Sequence, residues 1–442
     1  MGLRGPAATN PIAAAVVILV FGAVVVRQLL GRGPGVWAIF VVGALATVLA
    51  GVLSPPAAGA TLVTDGPVLV FLLALFLFAD ALEVAGALDH LARWLVGRAR
   101  TAAAVPALIF LGFGAATVFL LNDAMVVIGV PVLIALAARL RTDARMLLLP
   151  LAFAVSIGSV ATPFGNPQNL LVAGESGIAD PTWTFLRYLL LPTLVNLGLG
   201  ATYVHWRYAR SMDRAGAEFE RLRASAPPLI PPDLGRRLRA SPVLALFPAT
   251  ILAILAVDLE SSWLHAPALP SWEIAAVGAA ALVVISRARG RIVASTNWRV
   301  LALFAALFVV VGGAVAGGVI PGVERYLPIP RPGDPLVDLA QISAVSIVGP
   351  QLFSNVPWVG LQVSVLSSVG YGGGSPVAWM ALAGVSTLAG NVTLLGAASN
   401  LIVGELADRA GISIRLGRFV RDALPLAAIT ISVLVGFLAV GL

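Results

Sequence analysis

Long apolar runs and short polar interruptions alternate along the whole chain. Apolar stretches near the ~20 residues needed to cross a ~30 Å hydrocarbon layer recur at 11–30, 36–53, 66–88, 184–205, 241–258, 271–286, 299–320 and 422–442. Each predicts one membrane-spanning helix. Four further stretches do not behave so simply. Residues 103–140 and 336–370 are too long for one crossing and carry polar residues in the middle, "FLLNDAMVV" and "QLFSNVPWVG". Residues 146–174 and 376–404 have the length of one span but are interrupted by "ATPFGNPQNLLV" and "LAGNVTLLGAASNL".

Composition strengthens this reading. Hydrophobic residues make up 59% of the 442 and charged residues 11%, against ~45–50% and ~25% in soluble domains. Mean hydropathy is +0.97, and the apolar runs leave no room for a separate soluble domain. The chain contains no cysteine, which excludes disulfides, thiolate metal sites and cysteine nucleophiles. His90, His205 and His265 fall at segment ends, as loop or juxtamembrane residues do. No metal site or other cofactor is expected. The net charge of +7 comes from arginine, with no lysine; in a polytopic protein this reports loop topology, and no basic patch with interleaved aromatics points to nucleic acid. The first run, 11–26, is followed by Arg27 and by no small-residue cleavage site, so it reads as a span and not as a signal peptide.

The arginines set the expected sidedness. Arg27 and Arg32, Arg93 to Arg100, Arg139 to Arg145, the cluster from Arg207 to Arg239, Arg287 to Arg291 and Arg409 to Arg421 belong on the cytoplasmic side. The acidic or uncharged loops "SPPAAGATLVTDGP", "GESGIADPTW" and "DLESSWLHAPALPSWE" belong outside, with both termini. Stretch 103–140 has arginines at both ends, so it enters and leaves from the cytoplasm as a re-entrant hairpin. Stretch 336–370 is a hairpin from the opposite face. The expectation is an all-α polytopic membrane protein of two repeats, 1–205 and 241–442, joined by a cytoplasmic basic linker, 206–240. Each half holds about five spans, one hairpin and one discontinuous helix (146–174 and 376–404). An odd number of spans per half makes the second half upside down relative to the first.

Residue matches at near-constant spacing support the repeat. Phe76 and Gly86 pair with Phe308 and Gly318 (76 to 308, a spacing of 232), and Asn122 with Asn355 (spacing 233). Thr162, Gly165, Asn169, Leu170 and Val172 pair with Thr393, Gly396, Asn400, Leu401 and Val403 (spacing 231). The leucine and valine matches carry little weight in an apolar chain. The Thr-x-x-Gly-x-x-x-Asn pattern, placed twice in mid-run, carries most of it, and the reading is an inverted-topology repeat.

Irregular backbone in hydrocarbon leaves amides and carbonyls unpaired, so it persists only where protein buries it or a wet cavity faces it. Discontinuous helices present half-helix N-termini to anions and unwound carbonyls to cations. Residues 161–169 are therefore expected to form a binding site, with Thr162, Gly165, Asn166, Gln168 and Asn169, and with Asn391, Thr393, Gly396, Ser399 and Asn400 as counterparts. The hairpin tips add Asn122, Asp123, Ser354 and Asn355. The competing reading is that these polar groups only hold helices together. Asp80, Glu83 and Asp123 are the carboxylates that fall inside apolar segments, and an ionisable residue there is a functional candidate by default. Asp123 is expected to carry the coupling ion, by protonation or within a Na⁺ shell of oxygens. Asp80 and Glu83, three apart on one helix face, either share that task or face a crevice with an arginine partner.

At "LNDAMVVIGVPV", "GSVATPFGNPQNLLV", "FSNVPWVGL" and "GNVTLLGAASNLIV" the sequence resembles the ion transporter superfamily. That superfamily groups arsenite permeases, NhaD-type Na⁺/H⁺ antiporters, citrate permeases and divalent-anion:Na⁺ symporters. The last motif is similar to the Gly-Asn-x-Thr-x-x-Gly-x-x-x-Asn signature of the arsenite-permease and P-protein branch. The resemblance implies a scaffold of outer spans and a transport domain of hairpins and broken helices. It also implies an elevator motion, with a homodimer among the assemblies it allows, and secondary transport without ATP. The absence of a Gly-x-x-x-x-Gly-Lys loop agrees with that. Dicarboxylate symporters carry Ser-Asn-Thr at each tip, whereas Asn122-Asp123-Ala124 and Ser354-Asn355-Val356 stand here. The expectation is a secondary transporter of a small anion or oxyanion across the cytoplasmic membrane, arsenite-like, inorganic or carboxylate, coupled to H⁺ or Na⁺. The alternative is a Na⁺/H⁺ antiporter. A channel lined by the same hairpins, or an intramembrane enzyme, for which no His-Glu-x-x-His or Gly-x-Ser-x-Gly motif is present, ranks below both.

Overall fold

The computed structural model describes residues 9–30, 33–87, 90–91, 97–225, 241–264, 269–319 and 330–441. Arg32, Arg93, His265 and the linker residues 226–240 lie outside them. Helices are labelled in chain order: α1 (Pro11–Leu30), α2 (Val36–Leu49), α3 (Pro55–Thr64), α4 (Gly66–Ala85), α5 (Val105–Ala116), α6 (Asn122–Arg139), α7 (Arg145–Gly158), α8 (Pro167–Glu175), α9 (Pro181–Phe185) and α10 (Leu191–Met212). After α11 (Gly216–Ser225), the second half holds α12 (Val243–Leu264), α13 (Ser271–Ile285), α14 (Arg289–Ser295), α15 (Trp298–Ala316), α16 (Pro335–Phe353), α17 (Asn355–Ser368), α18 (Pro376–Ala389), α19 (Ala398–Arg409) and α20 (Leu416–Val440).

Seven helical segments among the described residues are long and apolar enough to cross a membrane, and six shorter apolar helices, including α1, α2, α7, α13 and α18, accompany them. The protein is an all-helical, multi-pass membrane protein. The expected spans appear as helices, but α10 runs on to Met212 and α12 to Leu264, and α20 starts at Leu416, beyond the expected ends at 205, 258 and 422. One expected loop is helical: residues 55–64 of "SPPAAGATLVTDGP" form α3. Ser54 accepts a hydrogen bond from the Ala57 amide, and Pro55 and Pro56 occupy the first helical turn. Proline is favoured at that position because its missing N–H would have no partner there.

Elements of the first half recur in the second at nearly the same spacing. α7 and α18 are both 14 residues long and start 231 residues apart (145 to 376). The second pieces, α8 and α19, also start 231 apart (167 to 398). α4 ends on Gly86 and α15 is followed by Gly318, both at positive φ (77° and 65°), where a helix stop favours glycine. Contacts are exchanged between halves: α2 packs on α15 and α13 on α4, while α6 packs on α19 and α17 on α8. Within each half α5 packs on α7 and α16 on α18. Every residue of α7 from Leu147 onward, and of α18 from Ala378 onward, is buried. Helices that are apolar on all sides belong at the centre of a bundle, and both broken segments therefore run through the middle of the molecule.

Candidate functional site

The breaks are built from backbone and held by side chains. After α7 the chain makes a 3-10 turn (Ser159–Ala161), extends through Thr162 to Asn166 and restarts at Pro167. Asn166 is the N-cap of α8: its Oδ1 accepts from the Asn169 amide at 2.8 Å and its Nδ2 donates to the Ser159 carbonyl at 3.1 Å. Asn169 Nδ2 donates to the carbonyls of Ser159 and Thr162, each at 3.0 Å. A Cβ on Gly165 would fall against the Ser159 backbone, so the loop closes only over a residue without a side chain. In the second half Asn400 Nδ2 reaches the carbonyls of Gly390 (2.9 Å) and Thr393 (3.4 Å). Ser159 and Gly390 stand at the same 231-residue spacing, so the bond is the same one made twice.

The hairpin-tip residues dock on these breaks. The Asn122 amide donates to the Gly165 carbonyl at 2.9 Å, and the Asn355 amide to the Gly396 carbonyl at 3.1 Å. The Thr162 hydroxyl donates to the Val118 carbonyl, and the Thr393 hydroxyl to Gln351 Oε1 at 2.9 Å. Asn122 and Asn355 each turn the side-chain oxygen back onto the next amide, that of Asp123 or Val356. The N-termini of α6 and α8 thus meet in one half, and those of α17 and α19 in the other. Ser354 is held at φ 65° and ψ 157°, a strained region for any residue with a Cβ.

The two breaks differ in how far their polar groups are used. In the first, Gln168 Nε2 donates to the Thr387 hydroxyl at 3.2 Å, and that hydroxyl stands 3.4 Å from Asn169 Oδ1. Thr162, Asn166 and Asn169 are fully buried. In the second, Asn391 Oδ1, Ser399 Oγ and Asn400 Oδ1 are buried with no hydrogen-bond partner among the described residues. Both asparagine Nδ2 groups already donate to carbonyls, so flipping either amide would set oxygen against oxygen.

A cavity of about 350 Å³ reaches the first tip. It is lined by Phe76, Asp80 and Glu83 of α4, by Asp123, Ala124 and Val127 of α6, and by residues 295–299 at the start of α15. The three carboxylates singled out in the sequence therefore share one space. Asp80 accepts a hydrogen bond from the Thr296 hydroxyl at 3.0 Å. Arg299 is the one arginine in the wall. Asp123 is buried in the first turn of α6, where the helix dipole favours a negative charge; no described donor reaches its carboxylate.

A second cavity of about 140 Å³ lies at the equivalent place in the other half. Phe308, Gly312, Val315 and Gly360 in its wall stand 232 or 233 residues beyond Phe76, Asp80, Glu83 and Val127. Asp65 corresponds to Asn297 by the same spacing. The acids of this cavity, Asp65 and Glu175, were not among the sequence candidates. They flank apolar runs, where acids are ordinary.

Of the three carboxylates inside apolar segments, Asp80 and Asp123 are buried and Glu83 is exposed, and two further acids are buried as well. Asp258 accepts from the Thr182 amide and the Ser271 hydroxyl (3.0 and 3.1 Å). Asp422 is fully buried and takes Arg207 Nη2 at 2.8 Å and the Tyr208 hydroxyl at 3.0 Å. Both sit near the ends of their helices, and partners distant in sequence allow the burial.

The family model for citrate transporters matches residues 8–389, across the first break, both tips and α18, and ends where the second break begins. The chain belongs to that family. This citrate transporter family member is 28% identical over 375 residues to an uncharacterized transporter of Mycobacterium tuberculosis (83% of this chain, 84% of the relative). It is 26% identical over 392 residues to a silicon efflux transporter of Oryza sativa subsp. japonica (78% and 80%). Among solved structures it resembles the YdaH transporter of Alcanivorax borkumensis (TM-score 0.55, 16% identity, 87% of this chain and 86% of that one). It also resembles Neisseria gonorrhoeae MtrF (TM-score 0.52, 13% identity, 97% and 95%). These two likenesses show the fold. Family and relatives place the chain in the ion transporter superfamily, as a membrane transporter of an anion-carrying group and not an enzyme.

Proposed function

We propose that this chain is a secondary active transporter of a small anion or oxyanion, arsenite-like, inorganic or carboxylate, across the cytoplasmic membrane, with H⁺ or Na⁺ coupled through Asp123. The observation that carries the reading is the path from the larger cavity to the break. Asp80 and Glu83 stand at its wall and Asp123 at its end, and the next residue, Asn122, is hydrogen-bonded to Gly165. A proton or Na⁺ taken up at Asp123 changes the charge at a helix start that touches the broken segment. The solute sits between the tips and the breaks, among Asn122, Ser354, Asn355, Thr393, Gly396, Ser399 and Asn400. Helix N-termini offer it positive potential there, and the unpaired oxygens of Asn391, Ser399 and Asn400 accept from its hydroxyls. Thr162, Gly165, Asn166 and Asn169 keep the first break open. The names of the family and of the rice relative agree with an anionic or hydroxylated solute.

Repetition of the same contacts in both halves supports the inverted-repeat reading, with 1–205 and 241–442 as the repeats. By the arginine pattern the larger cavity opens to the cytoplasm, the smaller one outside, and linker 206–240 is cytoplasmic. A Na⁺/H⁺ antiporter is the second reading, favoured by three carboxylates against one arginine around the larger cavity. Proteoliposomes separate the two. Ion-driven uptake of labelled arsenite, silicate or citrate without a Na⁺-dependent pH change supports the first reading, and the converse result supports the second. Asp123→Asn is expected to remove ion-coupled transport by at least about tenfold while the protein still elutes as a folded species. Unaltered pH and Na⁺ dependence in that variant would take Asp123 out of the mechanism.

A further inference from the structure

The smaller cavity holds an acid pair that the transport reading leaves unused. Asp65 is the residue before α4 and Glu175 the last of α8, so 110 residues separate them (65 to 175), yet their carboxyl groups lie within hydrogen-bonding reach. The rest of the wall is Thr61 of α3, Leu171 of α8, residues 307–315 of α15 and residues 360–364 of α17, and none of these is a cation. Charged residues do stand on elements packed against α4 and α8: Asp80, Glu83, Asp123, Arg139, Asp258, Glu260, Glu273, Arg289, Arg291 and Arg299, with Asp180 and Arg187 flanking α9. None of them lines this cavity. Two carboxylates in contact with no cation between them repel each other, and the arrangement holds together when one proton is shared between the pair.

We propose that Asp65 and Glu175 form the outer proton site of the transporter: one shared proton ties the end of α8 to the start of α4 and keeps the outer cavity shut. This rests on the transporter reading and on the sidedness set by the arginines. The proton leaves to water on the outer face, two negative charges remain, and repulsion parts α8 from α4. Gly312 and Val315 stand in this cavity where Asp80 and Glu83 stand in the larger one, so its acids come instead from Asp65 and Glu175, and each cavity has its own acid group. Burial, and next the charge of Asp65, push the Glu175 carboxyl up to about 7; burial raises Asp65, and its hydrogen bond with Glu175 acts in the other direction. An acid whose affinity for the proton rises in the closed state favours closure below that pH and loses the contact as pH climbs through it.

The chain has no cysteine, so single thiols report accessibility. Ser364→Cys places one in the cavity wall, and Gly374→Cys places a reference on the adjoining loop. The protein is reconstituted in vesicles and treated from outside with a membrane-impermeant maleimide. The ratio of Ser364→Cys to Gly374→Cys labelling removes the thiol's own ionisation. It is expected to rise roughly tenfold between about pH 6 and about pH 8, as a one-proton step. In Glu175→Gln, and independently in Asp65→Asn, the step disappears. A pH step that survives in both variants overturns the proposal, as does Ser364→Cys labelling only from the cytoplasmic face. The readout needs no solute, so its failure leaves the transport reading standing, and failed uptake leaves this one standing.

Discussion

Asp422 illustrates what one buried charge demands. Its oxygens take two donors of the Arg207 guanidinium, at 3.1 and 2.8 Å, and the Tyr208 hydroxyl, tying α10 to α20. Removing one partner of a buried pair leaves the other's desolvation uncompensated, at about 3 kcal/mol. Asp422→Ala is expected to lower unfolding stability in detergent by that order, and Arg207→Lys by less, since the charge stays and only the fork is lost. An unchanged melting temperature in Asp422→Ala would mean that the pair is a surface contact. Asp422 was legible in the sequence only as the first residue of a span, because its partners lie more than 200 positions away. Asp65 and Glu175 escaped because each flanks an apolar run, where an acid is ordinary, and their 110-residue separation hides the pairing. Asp123 was legible because a charge in the middle of "FLLNDAMVV" has no local explanation.

At the scale of an element, the breaks show how a short motif dictates geometry. Pro167 suits the first position of α8, where an N–H would have no helical partner, Asn166 supplies the cap that starts α8, and Gly165 permits the turn that precedes it. Gly165→Ala sets a methyl against the Ser159 backbone. Backbone cannot rotate away as a side chain can, so the loop shifts and the Asn122–Gly165 hydrogen bond goes with it. The expected result is a loss of roughly 1–3 kcal/mol together with a loss of transport. The control is Gly198→Ala, on a helix face where an added Cβ meets nothing within 4 Å. Equal transport in both variants would deny that the break is shaped by its glycine. The breaks were legible because polar residues and prolines in an apolar run have few uses. α3 was not, because Pro-Pro reads as a loop until Ser54 is seen capping the turn that the prolines begin.

At the scale of the whole molecule, the exchanged contacts set the function. α6 rests on α19 and α17 on α8, so each tip helix lies against the broken segment of the opposite half, and a shift of one half moves both breaks. The cavities at equivalent positions differ in volume, about 350 against 140 Å³, as expected of a two-fold assembly caught with one mouth wider than the other. They open to opposite faces only if the halves are antiparallel, and that turns on stretch 103–140 returning to the face it entered. Thr101→Cys and Arg141→Cys are therefore both expected to react with an impermeant maleimide in inside-out vesicles and neither in right-side-out ones, with Gly374→Cys behaving the other way. Residues 101 and 141 on opposite faces would make that stretch a full crossing. The two halves would then point the same way, both cavities would open on one side, and no exchange between their widths could carry a solute across.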